Sequence, residues 1–106
     1  MIDREQVKLE LGARLFRALA HPTRLFMLER LAESEHGVSD FVEMIPLDIS
    51  TISKHLAVLK QAGIVGHKKK GNQVIYRLKM PWIPGLLRGV ETGIESALKE
   101  ERARLT

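Results

Sequence analysis

The segment from Asp48 to Arg77 constrains the fold of this chain more than any other. It reads DISTISKHLAVLKQAGIVGHKKKGNQVIYR. Its first half predicts a helix with one apolar side, for which Asp48 is a suitable N-cap and Gly63 a suitable end. The apolar residues at helical spacing are Ile49, Ile52, Leu56 and Leu59. Two short strands joined by the turn Lys70-Gly71-Asn72 follow, so the segment predicts a helix beside a basic hairpin.

Positive charge is concentrated in the same segment. Residues 48–80 carry seven lysines and arginines against one acid, whereas residues 1–47 carry six against eight, and residues 81–106 carry four against four. A basic patch of this kind suits phosphate binding, although charge alone leaves open a solvated face without a partner. A rigid helix beside the lysines favours double-stranded DNA, because the helix can enter the major groove while the hairpin contacts phosphates.

The rest of the sequence predicts four more helices. Apolar residues recur every four positions over about 5–19, and a second helix starts at the His21-Pro22 break and fades near 36–37. A short third helix is expected over about 39–45, before Pro46, and the last helix over about 83–104. Phe41, Val42 and Ile45 are expected to face inward.

This pattern predicts a mainly α fold with a small β-hairpin wing, a winged helix-turn-helix of about five helices. A chain of 106 residues is expected to be one domain. Its helix-turn-helix would occupy about 38–63, its wing about 64–79 and a C-terminal dimerisation helix about 83–104. Met27 and Met44 are expected to fill gaps in the core.

Several function classes are disfavoured by composition. No run of about 18 apolar residues predicts a membrane span, and the charged N-terminus does not resemble a secretory signal. The lack of cysteine removes disulfides and thiolate chemistry and fits a cytoplasmic location. No nucleophile motif or glycine-rich phosphate loop is present, so we expect no enzyme and no catalytic residues.

Metal binding is also not expected. None of the four histidines forms a helical i, i+4 pair with another. His36 and Asp40 have that spacing, but two ligands are too few for zinc without help from another segment or subunit. His55 lies at the edge of the buried face of its helix and is expected to be packed and hydrogen-bonded. We therefore predict no metal site and no cofactor.

The residues expected to bind DNA fall into two groups. Short hydroxyls and a lysine on the helix can approach base edges and phosphates closely, and the wing can neutralise backbone charge and reach a groove. The hydroxyls have an alternative role in helix capping. The predicted DNA-binding residues are Ser50, Thr51, Ser53 and Lys54 on the helix, and Lys68, Lys69, Lys70, Asn72 and Gln73 on the wing.

Three stretches in this order resemble the ArsR/SmtB family of winged-helix repressors. They are LFRALAHPTRLFMLERL, VSDFVEMIPLDISTISKHLAVLKQAGIV and KKKGNQVIYRL. The resemblance covers nearly the whole chain, and the ordered combination is far more specific than any one stretch. It implies a homodimer joined through the first and last helices, with two recognition helices in successive major grooves of an inverted-repeat operator. It also implies repression that an effector relieves.

The sequence departs from the family where effectors usually bind. Metal-sensing members carry Cys-x-Cys in the third-helix region, where this chain has Gly37 and Ser39. Others use Asp, His, His and Glu around the last helix. The corresponding residues here are Met80, Trp82, Gly93 and Ser96. None of these is a competent zinc ligand, and the position of Ile49 often carries a polar base-contacting residue in relatives.

The last helix carries an unusual stripe of small residues, Gly85, Gly89, Gly93 and Ala97. Glycine costs about 1 kcal/mol relative to alanine inside a helix, so the stripe suggests a groove for a second helix. The predicted dimer interface consists of Leu11, Leu15, Leu19, Ile83, Leu87, Val90 and Ile94. Two alternatives remain, a monomer whose last helix covers the core and a small-molecule effector pocket beside Trp82.

The sequence thus predicts a cytoplasmic DNA-binding regulator, most simply a repressor of its own operon. Its expected partners are double-stranded DNA, a second copy of itself and an unidentified small-molecule effector. The alternatives are a winged-helix module for protein interaction and a non-specific architectural DNA binder.

Overall fold

The computed structural model describes residues 3–105. Within them the chain forms five helices and three strands, which confirms the mainly α winged-helix prediction. These elements, in chain order, are α1 (Arg4–Leu19), α2 (Pro22–Glu33), β1 (His36–Gly37), α3 (Val38–Met44), α4 (Ile49–Gln61), β2 (Val65–Lys70), β3 (Gln73–Leu78) and α5 (Ile83–Leu105). No described helix combines the length and apolar character needed to cross a membrane.

The helix starts follow from local sequence. Asp3 caps α1 by accepting a hydrogen bond from the backbone N–H of Glu5 at 3.2 Å. His21 caps α2, because its Nδ1 accepts the N–H of Thr23 at 3.1 Å, and Pro22 occupies the first turn, where its missing N–H is harmless. At the start of α3, the Asp40 carboxylate accepts the N–H of Gly37 at 2.8 Å.

The end of α4 is set by Gly63. Its φ of 77° lies in the left-handed region that glycine tolerates best. The N–H of Gly63 donates to the carbonyl of Lys60 at 2.9 Å, and the N–H of Ile64 donates to that of Leu59 at 3.0 Å. These two bonds form a Schellman motif and confirm Gly63 as the helix terminator. The chain leaves α4 in a fixed direction and enters β2 directly.

The sheet has three strands rather than the predicted two. β2 and β3 form the antiparallel wing, and β1 adds to the far side of β3 by pairing His36 with Tyr76 and Gly37 with Ile75. A two-residue strand is too short to produce a periodic sequence signal, which is why it was not predicted. The wing turns at Gly71, with φ of 65°, between the paired residues Lys70 and Gln73. This matches a type II′ turn with glycine first.

The core lies where α2, α3, α4 and the sheet meet. Its fully buried side chains are Met27, Leu28, Phe41, Ile52, Leu56, Leu59, Ile64, Val65 and Ile83. Two inward predictions are wrong, because Val42 and Met44 are exposed. Ile49 is also exposed, although it follows the apolar spacing of its helix. Val42 and Met44 lie on the outer side of the short α3. Ile49 lies in the first turn of α4, beyond the part of that helix that its neighbours cover.

Helices α1 and α5 extend away from this core. The radius of gyration is 16.7 Å, whereas a compact chain of this length would have about 13 Å. Of the 23 residues of α5, Ile83 is the buried one, and α1 buries Ala18 and Leu19. Leu19 and Ile83 therefore pack in the core of the subunit, and their part in a dimer interface stays a prediction. Both sit at the helix end nearest the core.

Candidate nucleic-acid interface

The outer face of α4 carries the polar residues expected there. Ser50, Ser53 and Lys54 are exposed, and Thr51 is partly exposed. The opposite face is anchored by Ile52, Leu56 and Leu59, each fully buried. The core thus holds the helix by one side and presents the other to solvent. We refer to α4 as the recognition helix.

Asp48 organises the two hydroxyls in the first turn of the recognition helix. Its carboxylate accepts one hydrogen bond from the Ser50 hydroxyl and one from the Thr51 hydroxyl, each at 2.5 Å. These two bonds hold the pKa of Asp48 below its ordinary range. Asp48 occupies the N-cap position, but within the described helix its side chain caps no backbone N–H. The carboxylate therefore fixes the orientation of both hydroxyls, whose oxygens still offer lone pairs to a partner.

The wing presents its lysines on both of its faces. Successive strand residues alternate, so Lys68 and Lys70 share one face and Lys69 takes the other. All three are exposed. The ammonium of Lys68 lies 3.8 Å from the carboxylate of Glu35, an acid in the connection between α2 and β1. This exposed ion pair partly neutralises one of the three charges.

A cleft of about 320 Å³ joins the recognition helix to the wing. It brings Ser53 of the helix together with Asn72 and Gln73 of the wing, three residues predicted to bind DNA. The remaining lining residues are Val38, Ser39, Ile49 and Val74. The two predicted groups therefore meet at this cleft, through Ser53 on the helix and Asn72 and Gln73 on the wing.

Two histidine contacts position the recognition helix. His55 Nδ1 accepts a hydrogen bond from Arg24 Nε at 3.1 Å, and the rings of His21 and His55 lie 4.3 Å apart. Arg24 Nη1 also donates to the carbonyl of Ala18 at 3.1 Å, near the end of α1. Burial, followed by the charges of His21 and Arg24, lowers the pKa of His55. His55 is thus a packed, hydrogen-bonded residue, as the sequence predicted.

A separate contact connects the end of the recognition helix to the wing. Lys60 Nζ lies 3.3 Å from Nε2 of His67 on β2. The His67 ring meets the ring of Tyr76 edge-on, with centroids 5.3 Å apart. Because Tyr76 is buried, this arrangement fixes the base of the wing relative to the helix.

The described residues contain no group of three or more histidine, cysteine or acidic side chains placed to hold a metal ion. His36 and Asp40 do approach each other, with Nδ1 and Oδ2 separated by 3.5 Å. The other ring nitrogen of His36 lies 3.2 Å from the Ser34 hydroxyl. These contacts, together with the Asp40 bond to Gly37, give the pair a structural role at the junction of β1 and α3.

Both projecting helices also carry exposed apolar residues. Leu11 of α1 and Val90 and Ile94 of α5 are about half exposed, at 51%, 48% and 56%. Leu15 and Leu87 are partly buried against the core. Phe16 and Leu98 are exposed as well, and we call these apolar residues of the two helices together the α1/α5 face. Water-exposed apolar area of this extent favours association with another surface.

Sequence reasoning missed three features of the candidate interface. These are the hydroxyl clamp of Asp48, the exposure of Ile49 and the ion pair between Glu35 and Lys68. The i+2 and i+3 spacing of the hydroxyls after Asp48 was a usable signal for the first. The other two depend on contacts between distant segments, which leave no local pattern.

Comparisons with known proteins agree with this architecture. A family model described as bacterial regulatory protein, arsR family, matches residues 21–66. The HTH-type transcriptional regulator Rv0081 of Mycobacterium tuberculosis is 38% identical over 79 residues, covering 74% of this chain and 69% of the relative. Its crystal structure has a TM-score of 0.79 at 33% identity and covers 88% of this chain and 94% of that one.

Two further solved structures are similar. One is the homodimeric winged helix-turn-helix DNA-binding domain Mb0332 of Mycobacterium bovis, determined in solution by NMR. It has a TM-score of 0.78 at 28% identity, over 90% of this chain and 88% of that one. The other is the transcriptional repressor BigR of Xylella fastidiosa. It has a TM-score of 0.72 at 30% identity and covers 86% of this chain and 95% of that one.

Proposed function

Because this chain belongs to the ArsR family and is therefore a DNA-binding transcriptional regulator, we propose that it represses its own operon as a homodimer on an inverted-repeat operator. The observation that carries this proposal is the cleft that joins the exposed face of the recognition helix to the lysine-bearing wing. A binding partner of this surface must be anionic and grooved, as duplex DNA is.

The recognition helix would lie in the major groove. Ser50, Thr51, Ser53 and Lys54 would face base edges and nearby phosphates there. The wing residues Lys68, Lys69, Lys70, Asn72 and Gln73 would contact the sugar–phosphate backbone beside it. In this arrangement residues 38–63 form the helix-turn-helix, 64–79 the wing and 83–104 the dimerisation helix of a single domain.

Dimerisation would use the α1/α5 face. Leu11, Leu15, Leu87, Val90 and Ile94 would be covered by the same residues of a second copy across a two-fold axis. BigR is a transcriptional repressor and the Mb0332 domain is a homodimer, and both resemble this chain over most of its length. A two-fold dimer presents two recognition helices to an inverted repeat, with half-sites about one helical turn apart. Action on chromosomal DNA would place the protein in the cytoplasm, and we propose no catalytic activity.

Binding to its own promoter region tests the proposal. Fluorescence anisotropy with a labelled duplex from upstream of its gene should show affinity at least about a thousandfold tighter than for random duplex. Footprinting should protect an inverted repeat, and the stoichiometry should be two chains per site. Equal affinity for random duplex would instead identify an architectural DNA binder. No DNA binding at moderate salt would favour a protein-interaction module and overturn the proposal.

A further inference from the structure

Ile49 is the one large apolar side chain on the DNA-facing part of the recognition helix. It is 61% exposed, whereas Ile52, one turn later on the same helix, is fully buried. Isoleucine is only a moderate helix former, so helix propensity does not explain why an isoleucine stands at this position. Burial inside the subunit does not account for it either.

The residues around Ile49 indicate which kind of ligand can pack against its side chain. Its side chain lines the cleft between the recognition helix and the wing, beside the half-buried Val38 and Val74. Ser53, Asn72 and Gln73 form a polar rim around these apolar groups. Exposed lysines stand on both faces of the wing next to the cleft. An apolar point inside a basic, hydroxyl-rich surface fits a ligand that is anionic overall but carries a local methyl group.

Duplex DNA has one such group in its major groove, the C5 methyl of thymine. We infer that Ile49 packs against a thymine methyl in each half-site and makes this protein select thymine at that position. The inference rests on the proposed function, because it requires the recognition helix to lie in the major groove. It adds a specificity-determining residue to the polar residues already proposed to contact DNA.

Uracil substitution isolates the methyl group. Replacing each thymine of the operator by deoxyuridine, one position at a time, removes the methyl and leaves the base-pairing edge unchanged. For the wild-type protein, one position per half-site should lose about fourfold in affinity, the factor expected for one buried methyl group. Substituting both half-sites together should multiply the two losses.

The Ile49→Ala variant completes the cycle. Because Ile49 is exposed, the variant should fold normally, and its affinity should no longer depend on uracil at the sensitive position. Leu47→Ala is the matched control, since Leu47 is also partly exposed but lies before the helix and does not line the cleft. That variant should keep the wild-type uracil pattern.

Two results would overturn the inference while leaving the proposed function intact. One is specific operator binding with no uracil-sensitive position in either half-site. The other is a sensitive position that persists undiminished in Ile49→Ala. A wild-type protein that shows no sequence-specific DNA binding is a different result. It would overturn the proposed function and this inference together.

Discussion

Arg24 of α2 donates a hydrogen bond from Nε to Nδ1 of His55, a residue 31 positions later on the recognition helix. The same guanidinium donates through Nη1 to the carbonyl of Ala18 at the end of α1. One side chain thus connects the end of a projecting helix to the middle of the recognition helix. This junction is a direct physical link between the end of α1 and the recognition helix.

Removing the junction should weaken DNA binding as well as stability. Arg24→Ala leaves His55 Nδ1 and the Ala18 carbonyl without their donor, so we expect the free energy of unfolding to fall by about 1–3 kcal/mol. Arg24→Lys should rescue little, because an ammonium cannot reproduce the two directions of the guanidinium fork. Urea denaturation and operator titration of both variants measure the effects. Arg17→Ala changes an exposed side chain on α1 and should cost far less in the free energy of unfolding and in operator affinity.

Acidification should lower the free energy of unfolding through protonation of His55. Because its pKa in the folded protein is lower than in the unfolded chain, the unfolded chain binds more protons just below the ordinary value of about 6.5. The contribution of His55 to stability is therefore complete above that value and declines as pH falls toward the lower folded pKa. Protonation would also place a donor on Nδ1, opposite the Arg24 donor.

Denaturation curves at pH 7.5, 6.5 and 5.5 check this expectation. His55→Gln should show a shallower loss of stability with falling pH than the wild type. His67→Gln is the comparison variant, because it removes a histidine outside the junction. If the two variants flatten the pH dependence equally, the junction is not its source.

Local signals predicted the scaffold well. The helices were anticipated from apolar periodicity and the breaks at Pro22 and Pro46, and Gly63 and Gly71 adopt the positive φ values their positions require. These features depend on neighbours in sequence, so a single chain contains the information. The strand β1 was missed because β3, the strand it pairs with, is distant in the sequence.

The sequence predicted least well which side chains at helix ends are buried. Ile49 continues the apolar pattern of its helix but lies beyond the covering elements, whereas Leu19 and Ile83 lie at the helix ends nearest the core and are buried. Periodicity assigns a side chain to a face but not to a covering partner. The partner is set by tertiary packing, which also produced the unpredicted contacts of Arg24 with His55 and of Glu35 with Lys68.

The wing lysines should contribute unequally to DNA affinity. Changing Lys68, Lys69 and Lys70 together to alanine should weaken binding to operator and random duplex by similar factors. It should also make the slope of log binding constant against log salt concentration shallower by about 0.9 for each phosphate that the wing no longer neutralises. Singly, Lys68→Ala should cost least, because Glu35 already offsets its charge. Glu35→Gln should slightly strengthen binding at low salt.

A charge-matched triple variant controls for this effect. Arg17, Arg88 and Lys99 are exposed and lie on the projecting helices, more than about 100° around the axis from Leu11, Val90 and Ile94. Their replacement by alanine removes the same charge elsewhere. Anisotropy titrations over a range of salt concentrations compare the two triple variants. Equal losses would mean that net charge, and not the wing, determines affinity.

The α1/α5 face should fail to associate when charge is placed on it. Ile94→Glu buries a carboxylate in the proposed interface, so we expect monomers at micromolar concentration and loss of operator binding. Thr92→Glu introduces the same charge on the same helix, about 160° around its axis, and should remain dimeric. Analytical ultracentrifugation of both variants reads out the difference. Monomeric wild-type protein would contradict the proposed interface directly.

The glycines of α5 provide the sharpest test of how closely two subunits approach. Apart from its chain neighbours and the nearby backbone of its own helix, a Cβ added at Gly89 or Gly93 would meet no described atom of the subunit within 4 Å. In an isolated subunit, Gly93→Ala should therefore stabilise the helix by about 0.5–1 kcal/mol. If a second helix rests on the stripe, the same methyl group should hold the helices apart and weaken the dimer. Sedimentation equilibrium measures dimer affinity, and thermal unfolding of the Ile94→Glu background measures helix stability. A more stable subunit with a weaker dimer supports close packing, whereas unchanged dimer affinity would show that the glycines face away from the partner.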